Sequence, residues 1–193
     1  EKIKKVAEII KLYKNKNYKV IVVSSAMSGV TNELIKKSKE ISENFSEAEH
    51  DVMVSTGEQV ACSLIAGRLI HIGLKARSWL AWQIPIITKG LHKNSRINLI
   101  YKKKITKYLK EGGIPVITGF QGVNEDARIT TIGRGGSDAS AIMLAKFFSA
   151  KRCVIYTDVE GVYTTDPNKL KKAKKIKVIS YEEMLEMASL GAK

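Results

Sequence analysis

The run from Thr130 to Ala141 constrains the fold of this chain more than any other stretch. It reads as the end of a strand, a glycine-dense loop and the start of a helix. Gly133, Gly135 and Gly136 surround Arg134, and Ser137 and Asp138 follow at once. Glycine admits positive φ and lets a ligand approach the main chain. Ser137 or Asp138 can cap a helix over residues 139–149. The first amides of such a helix point outward and favour an anion. Arg134 adds a planar cationic fork suited to a carboxylate or phosphate. Asp138 would repel an anion unless it pairs with a cation, either a lysine or a ligand-borne Mg2+. A plain capped connection is the simpler alternative, but it does not need an arginine among glycines.

Hydrophobic periodicity places the remaining elements. Ile3, Val6, Ala7, Ile10 and Tyr13 recur at helical spacing, which predicts a helix over 2–14, broken at Asn15 to Asn17. Residues 18–24 contain the apolar run Val20 to Val23, the signature of a strand buried on both faces. A small polar loop, Ser25 to Asn32, follows. Helices are predicted over 32–43, 46–54 and 57–72, strands over 75–80 and 84–87. Pro85 suggests a place near a sheet edge. A helix is predicted over 98–110, ended by Gly112 and Gly113, then a strand over 114–120. Residues 121–128 should turn as a hairpin before the glycine loop. Beyond the 139–149 helix come strands over 151–157 and 177–179, a loop over 163–167 and a closing helix over 181–190. Alternating strands and helices predict an α/β three-layer sandwich, with a mainly parallel central sheet covered by helices on both faces. Ligands in such sheets bind at the carboxyl ends of the strands. The unusual loops, 24–31, 118–121, 133–138 and 157–166, all fall at such ends.

Composition narrows the function. The net charge of +14 invites a nucleic-acid reading. The lysines are scattered, however, without interleaved aromatics or an RNA-binding signature, so a solvated lysine-rich surface is expected. Residues 169–175 are the one cluster suited to a polyanion such as ATP. Cys62 and Cys153 lie in apolar segments with no CxxC partner, which predicts free, buried thiols and a reducing compartment. The opening Glu1 to Lys5 has no apolar signal region. No run approaches the roughly 18 apolar residues of a membrane span. GxxxxGK[ST] and GxGxxG are absent, so phosphates must be cradled another way.

Ser24 through Asn32, Ser55 through Glu58, Gly133 through Asp138, Tyr156 through Pro167, and Met187 through Lys193 together resemble the aspartate kinases, in order and over nearly the whole chain. The resemblance implies the amino-acid kinase fold, with all 193 residues forming a catalytic domain that is truncated at both ends. It also implies ATP- and Mg2+-dependent phosphorylation of the side-chain carboxylate of L-aspartate. That reaction is the first step toward lysine, threonine, methionine and diaminopimelate, in the cytoplasm. The implied partners are L-aspartate and ATP, with no nucleic acid or membrane, and a homo-oligomer in the full-length protein. Arg134 and Asp138 would be catalytic. Arg134 would grip the substrate carboxylate bidentately. Glu58 would receive its ammonium, where the alternative is an acid stabilised by the helix dipole. Thr31 would touch substrate, where the alternative is an N-cap. Phe120 would wall the pocket, where the alternative is a core phenylalanine. Gly135, Gly136 and Ser137 would supply close backbone and hydroxyl contacts. Thr157, Asp158, Tyr163, Asp166, Pro167, Lys169 and Lys193 would line the nucleotide, where the alternative is a turn-rich segment. No residue is expected to ligate a metal directly; Mg2+ would be held through phosphates.

Two departures from the family matter. The chain begins after the family's strand and Lys-Phe/Tyr-Gly-Gly loop and stops before its regulatory domains. These residues alone are therefore expected to turn over poorly. Asn168 also stands where the family usually has arginine, with Lys169 a possible substitute. Rival readings are a relative acting on glutamate, N-acetylglutamate, carbamate or UMP, a nucleic-acid-binding domain, and a catalytically silent fragment.

Overall fold

The computed structural model describes residues 1–133, 135–157, 161–165, 170 and 172–189. Its centre is β5 (Ile114–Thr118), every residue of which is buried. β5 pairs in parallel with β1 (Val22–Ser24) on one side and with β2 (Ala76–Trp79) on the other. Side chains alternate across a strand. Ile114 and Val116 therefore join Ala7 and Ile10 of α1 (Lys2–Asn15) and Cys62, Ala66 and Leu69 of α4 (Thr56–His71) on one face. Ile117 joins Trp79, Ile105 of α5 (Lys103–Lys110) and Leu144 of α6 (Gly136–Phe147) on the other. Each fully buried valine, leucine or isoleucine among them contributes roughly 1.5–3 kcal/mol. This is the expected α/β arrangement, a parallel sheet with helices on both faces. The Cys62 thiol donates to the Val116 carbonyl at 3.1 Å, and burial pushes it up to about 11, so it packs as an inert side chain.

A second sheet extends the fold, in the order β4-β3-β6-β7. β3 (Ile86–Lys89) pairs in parallel with β6 (Gln121–Val123), while β4 (Arg96–Ile100) and β7 (Ile129–Thr131) pair antiparallel at the flanks. The hairpin expected after residue 121 is β6–β7. Asn124 Oδ1 closes it by accepting from the amides of Asp126 and Arg128.

Several sequence expectations need correction. The helix predicted over 98–110 is the strand β4 followed by the shorter α5. Along β3 and β4, Ile87 faces Leu99 and Thr88 faces Ile97, so Asn98 is an inserted residue. That bulge brings both Ile97 and Ile100 toward the core, and the three-residue spacing imitates a helix. β3 is central rather than near an edge, because Pro85 lies before it and only its carbonyl is used, by the Tyr101 amide at 3.2 Å. β1 covers only the end of the predicted 18–24 strand. Residues 151–157 and 177–179 form no strand. Val154 and Tyr156 are exposed there, and the apolar run Cys153 to Tyr156 carries β-propensity without fixing a ladder. Instead Tyr163 bridges Lys175, the Thr164 amide donates to the Lys174 carbonyl at 3.0 Å, and the Lys174 amide donates to Thr164 Oγ1 at 3.1 Å. The predicted helices over 32–43, 46–54 and 57–72 are α2 (Val30–Ile41), α3 (Glu47–Val54) and α4. The closing helix is α7 (Tyr181–Ser189), which packs on α6 with Lys146 and Glu182 paired at 2.8 Å. Among the described residues no helix is long and apolar enough to cross a membrane.

Candidate active site at the strand ends

β1 and β5 end side by side. Ser24 is in register with Thr118, and the Gly119 amide donates to the Ser24 carbonyl at 2.9 Å. The loop after β1 lies on the start of α4. The Ala26 amide donates to Glu58 Oε1 at 3.1 Å. A Cβ on Gly57 would sit 3.0 Å from Ala26 and 3.2 Å from Val30, so this close approach needs a glycine. Glu58 is 3 % exposed and its Oε2 has no hydrogen-bond partner. Loss of solvation raises its pKa to about 7, against the smaller opposing pull of the Ala26 amide. A buried carboxyl with an unused oxygen is suited to an incoming cation.

The loop after β5 lies on the start of α6. A Cβ on Gly119 would be 3.0 Å from Ser137, and one on Gly136 would be 2.6 Å from the Phe120 ring. Phe120 holds φ +64, a region unfavourable for a bulky residue. It is kept there because its amide donates to Ser140 Oγ at 3.0 Å and its carbonyl accepts from the Ile132 amide at 3.0 Å. Ser140 Oγ in turn donates to the Gly136 carbonyl at 2.7 Å. Ser140→Ala should cost about 1–3 kcal/mol by orphaning the Phe120 amide, read as a fall in Tm.

The α6 helix begins three residues earlier than predicted, which corrects the role of Ser137 and Asp138. Gly135, at φ +68, occupies the N-cap position and turns the chain directly into the helix. Ser137 and Asp138 lie inside the first turn and make no cap, leaving the first amides uncapped by a side chain. Thr31 does not cap either, since α2 begins at Val30 with Gly29 before it at φ +86. The Asp138 carboxyl is half-buried and pushed up by desolvation, and its charge raises the nearby Cys153 thiol further.

The structure therefore brings Glu58, Phe120, Gly135, Gly136 and Ser137 to one connected set of strand-end loops. Thr31 stands at the head of α2 beside them. Thr157 is exposed at the end of the 151–157 segment, and Tyr163 is half-buried in the contact with Lys175. Arg134, Asp158, Asp166, Pro167, Lys169 and Lys193 lie outside the described residues. The sequence reading missed Asp51, which is fully buried and joins α3 to β7 and to the loop before β4. One signal was available: Asp51 and the apolar Val54 lie three residues apart on the predicted 46–54 helix, so they share a face.

The chain belongs to the amino acid kinase family, whose model matches residues 1–193. Its curated relatives include aspartokinases. The chain is 50% identical over 196 residues to the aspartokinase of Rickettsia felis, covering 100% of this chain and 49% of that protein. The crystal structure of aspartate kinase from Synechocystis superposes with a TM-score of 0.75 at 39% identity, over 98% of this chain and 31% of the other. E. coli aspartokinase III in complex with aspartate and ADP superposes with a TM-score of 0.74 at 26% identity, over 88% of this chain and 49% of the other. The chain spans about half the length of the curated relatives it matches.

Proposed function

We propose that this chain is the catalytic unit of an aspartate kinase, which transfers the γ-phosphoryl group of ATP to the side-chain carboxylate of L-aspartate. The observation that carries the reading is Glu58 Oε2, buried without a partner among the described residues, in the same set of strand-end loops as the glycine-built start of α6. One group is suited to an ammonium, the other to a carboxylate, and an amino-acid substrate presents both. The similarity to aspartokinases across the whole chain supports the same substrate.

In this reading Glu58 receives the ammonium, Arg134 and the first amides of α6 receive acidic oxygens, and Thr31 and Phe120 bound the pocket. The attacking carboxylate is nucleophilic at neutral pH, so no general base is needed. The residues act by alignment and by offsetting negative charge. Asp138, inside the first turn of α6, orients a cation rather than removing a proton. Thr157, Asp158, Tyr163, Asp166, Pro167, Lys169 and Lys193 line the nucleotide.

Among the described residues no three His, Cys, Asp or Glu side chains gather as a metal-ligand set. In this reading Mg2+ arrives on the nucleotide phosphates, where it neutralises their charge. A cytoplasmic, homo-oligomeric enzyme serving amino-acid biosynthesis follows from the same reading. The test is ADP release by the full-length protein supplied with ATP and, in turn, aspartate, glutamate, N-acetylglutamate, carbamate or UMP, with hydroxylamine trapping of the acyl phosphate for the carboxylate acceptors. ADP release and hydroxamate with aspartate alone are the expected result. Product from another acceptor and none from aspartate overturns the assignment.

A further inference from the structure

We propose that Asp51 is a positioning residue for phosphotransfer: it fixes the glycine turn at the head of α6 relative to Glu58. The inference rests on the reading above for what those two groups bind.

Asp51 is fully buried on α3, and among the described residues no lysine or arginine side chain pairs with it; the imidazoles of His92, at 2.8 Å, and His50, at 3.7 Å, are the nearest groups that can carry positive charge. Its carboxylate is instead saturated by donors from two segments distant in sequence. Thr131, the last residue of β7, donates its amide to Oδ2 at 3.0 Å and its hydroxyl to Oδ1 at 2.7 Å. The Lys93 amide donates to Oδ2 at 3.0 Å and to Oδ1 at 3.2 Å, and His92 Nδ1 lies 2.8 Å from Oδ2. Buried charge of this kind is costly, and well-packed apolar residues often hold a core as firmly. What a carboxylate in this position adds, and apolar packing lacks, is direction.

The direction is toward the site. From Thr131 the chain runs through Ile132 into the glycine turn. The back of that turn is walled by the loop that Asp51 also holds: a Cβ on Gly133 would stand 3.2 Å from both the Lys93 carbonyl and Asn94 Oδ1. The loop is tied again to β7 where Ser95 donates its amide at 3.0 Å and its hydroxyl at 2.9 Å to the Thr131 carbonyl. On the other side, Asp51 lies about two helical turns before Glu58. Between them the Ser55 carbonyl accepts from Gln121 Nε2 at 3.0 Å, which pins the α3–α4 junction to β6. One rigid unit thus carries the proposed ammonium receiver and, through Asp51, sets the strand and the wall that shape the proposed anion receiver.

The test uses full-length protein with Asp51→Asn and Thr131→Val. Asparagine keeps the shape but turns one acceptor into a donor facing other donors. Valine removes only the hydroxyl bond. We expect KM for aspartate to rise about tenfold to a hundredfold, with KM for ATP moving less than about twofold, in protein still folded at the assay temperature. Hydrogen exchange in ligand-free protein should quicken for peptides covering 92–95 and 131–137, and not for β5. A fall in Tm with both KM values and both peptides unchanged would reduce Asp51 to a packing residue and overturn the proposal. If Asp51→Asn does not fold, Thr131→Val decides by the same two readouts. If wild type makes no aspartyl phosphate, the substrate assignment fails on its own, and exchange at 131–137 still decides the role of Asp51.

Discussion

Replacing Glu58 by Gln is expected to weaken acceptor binding sharply while making the ligand-free protein more stable at pH 8. Glu58 is 3 % exposed with one oxygen unpartnered, and burial raises its pKa from 4.5 to about 7. A carboxyl whose folded pKa is raised holds its proton more tightly in the native state than in the unfolded chain. It imposes no penalty below the unfolded value of 4.5, and stability is lost progressively as pH rises from 4.5 through about 7. Above that window the burden is roughly 2–3 kcal/mol, which a neutral glutamine avoids. Urea unfolding without substrate should show wild type and Glu58→Gln nearly equal near pH 4 and the variant ahead at pH 8. Kinetics should move the opposite way. Losing one partner of a buried charge pair costs about 3–5 kcal/mol, so KM for the acceptor should rise about a hundredfold or more. In wild type, kcat/KM for the acceptor should fall as pH drops below about 7, because the ionised form is the one that receives an ammonium. A variant that is both destabilised at pH 8 and kinetically normal would remove Glu58 from the site.

Gly136→Ala is the second large effect, and helix propensity predicts the wrong sign for it. Within a helix, alanine is favoured over glycine by about 1 kcal/mol. Here the new methyl would lie 2.6 Å from the Phe120 ring, 3.2 Å from Ile132 Cβ and 3.4 Å from the Phe120 Cα. The Phe120 backbone has little freedom to retreat, since its amide and carbonyl are both engaged. We expect a net loss of about 1–3 kcal/mol in stability. Displacing the head of α6 by even a fraction of an ångström should also lower acceptor kcat/KM about tenfold to a hundredfold. Gly67→Ala on α4 is the contrast. Nothing lies within 4 Å of its added methyl, so this change should stabilise by up to about 1 kcal/mol and leave kinetics alone. Thermal melts and steady-state rates on the two variants separate crowding at the site from propensity.

The α/β architecture was legible because it is written in short-range periodicity. The buried run of β5, the helical spacing of α1 and the turn residues after Lys110 each report a local preference. Glu58 and the glycine loop were legible because carboxylate at a helix start and clustered glycine are themselves chemical statements. Asn98 defeated the reading of β4, since one inserted residue changed the phase of Ile97 and Ile100 without changing their character. The strand expected over 151–157 failed for the converse reason: its apolar run is strand-like, but a ladder is set by a neighbouring strand and not by the segment.

Amino-acid order alone therefore determined which segments can coil or extend, and which loops carry the candidate donors and acceptors. Packing in three dimensions decided how those loops meet. Asp51 and Thr131 stand 80 positions apart, and nothing local to either predicts their bond. The same holds for the pKa of Glu58, which depends on the wall of protein that replaces its water. Both are long-range properties, set by burial and by the crossing of distant strands, and neither exists until the chain has folded.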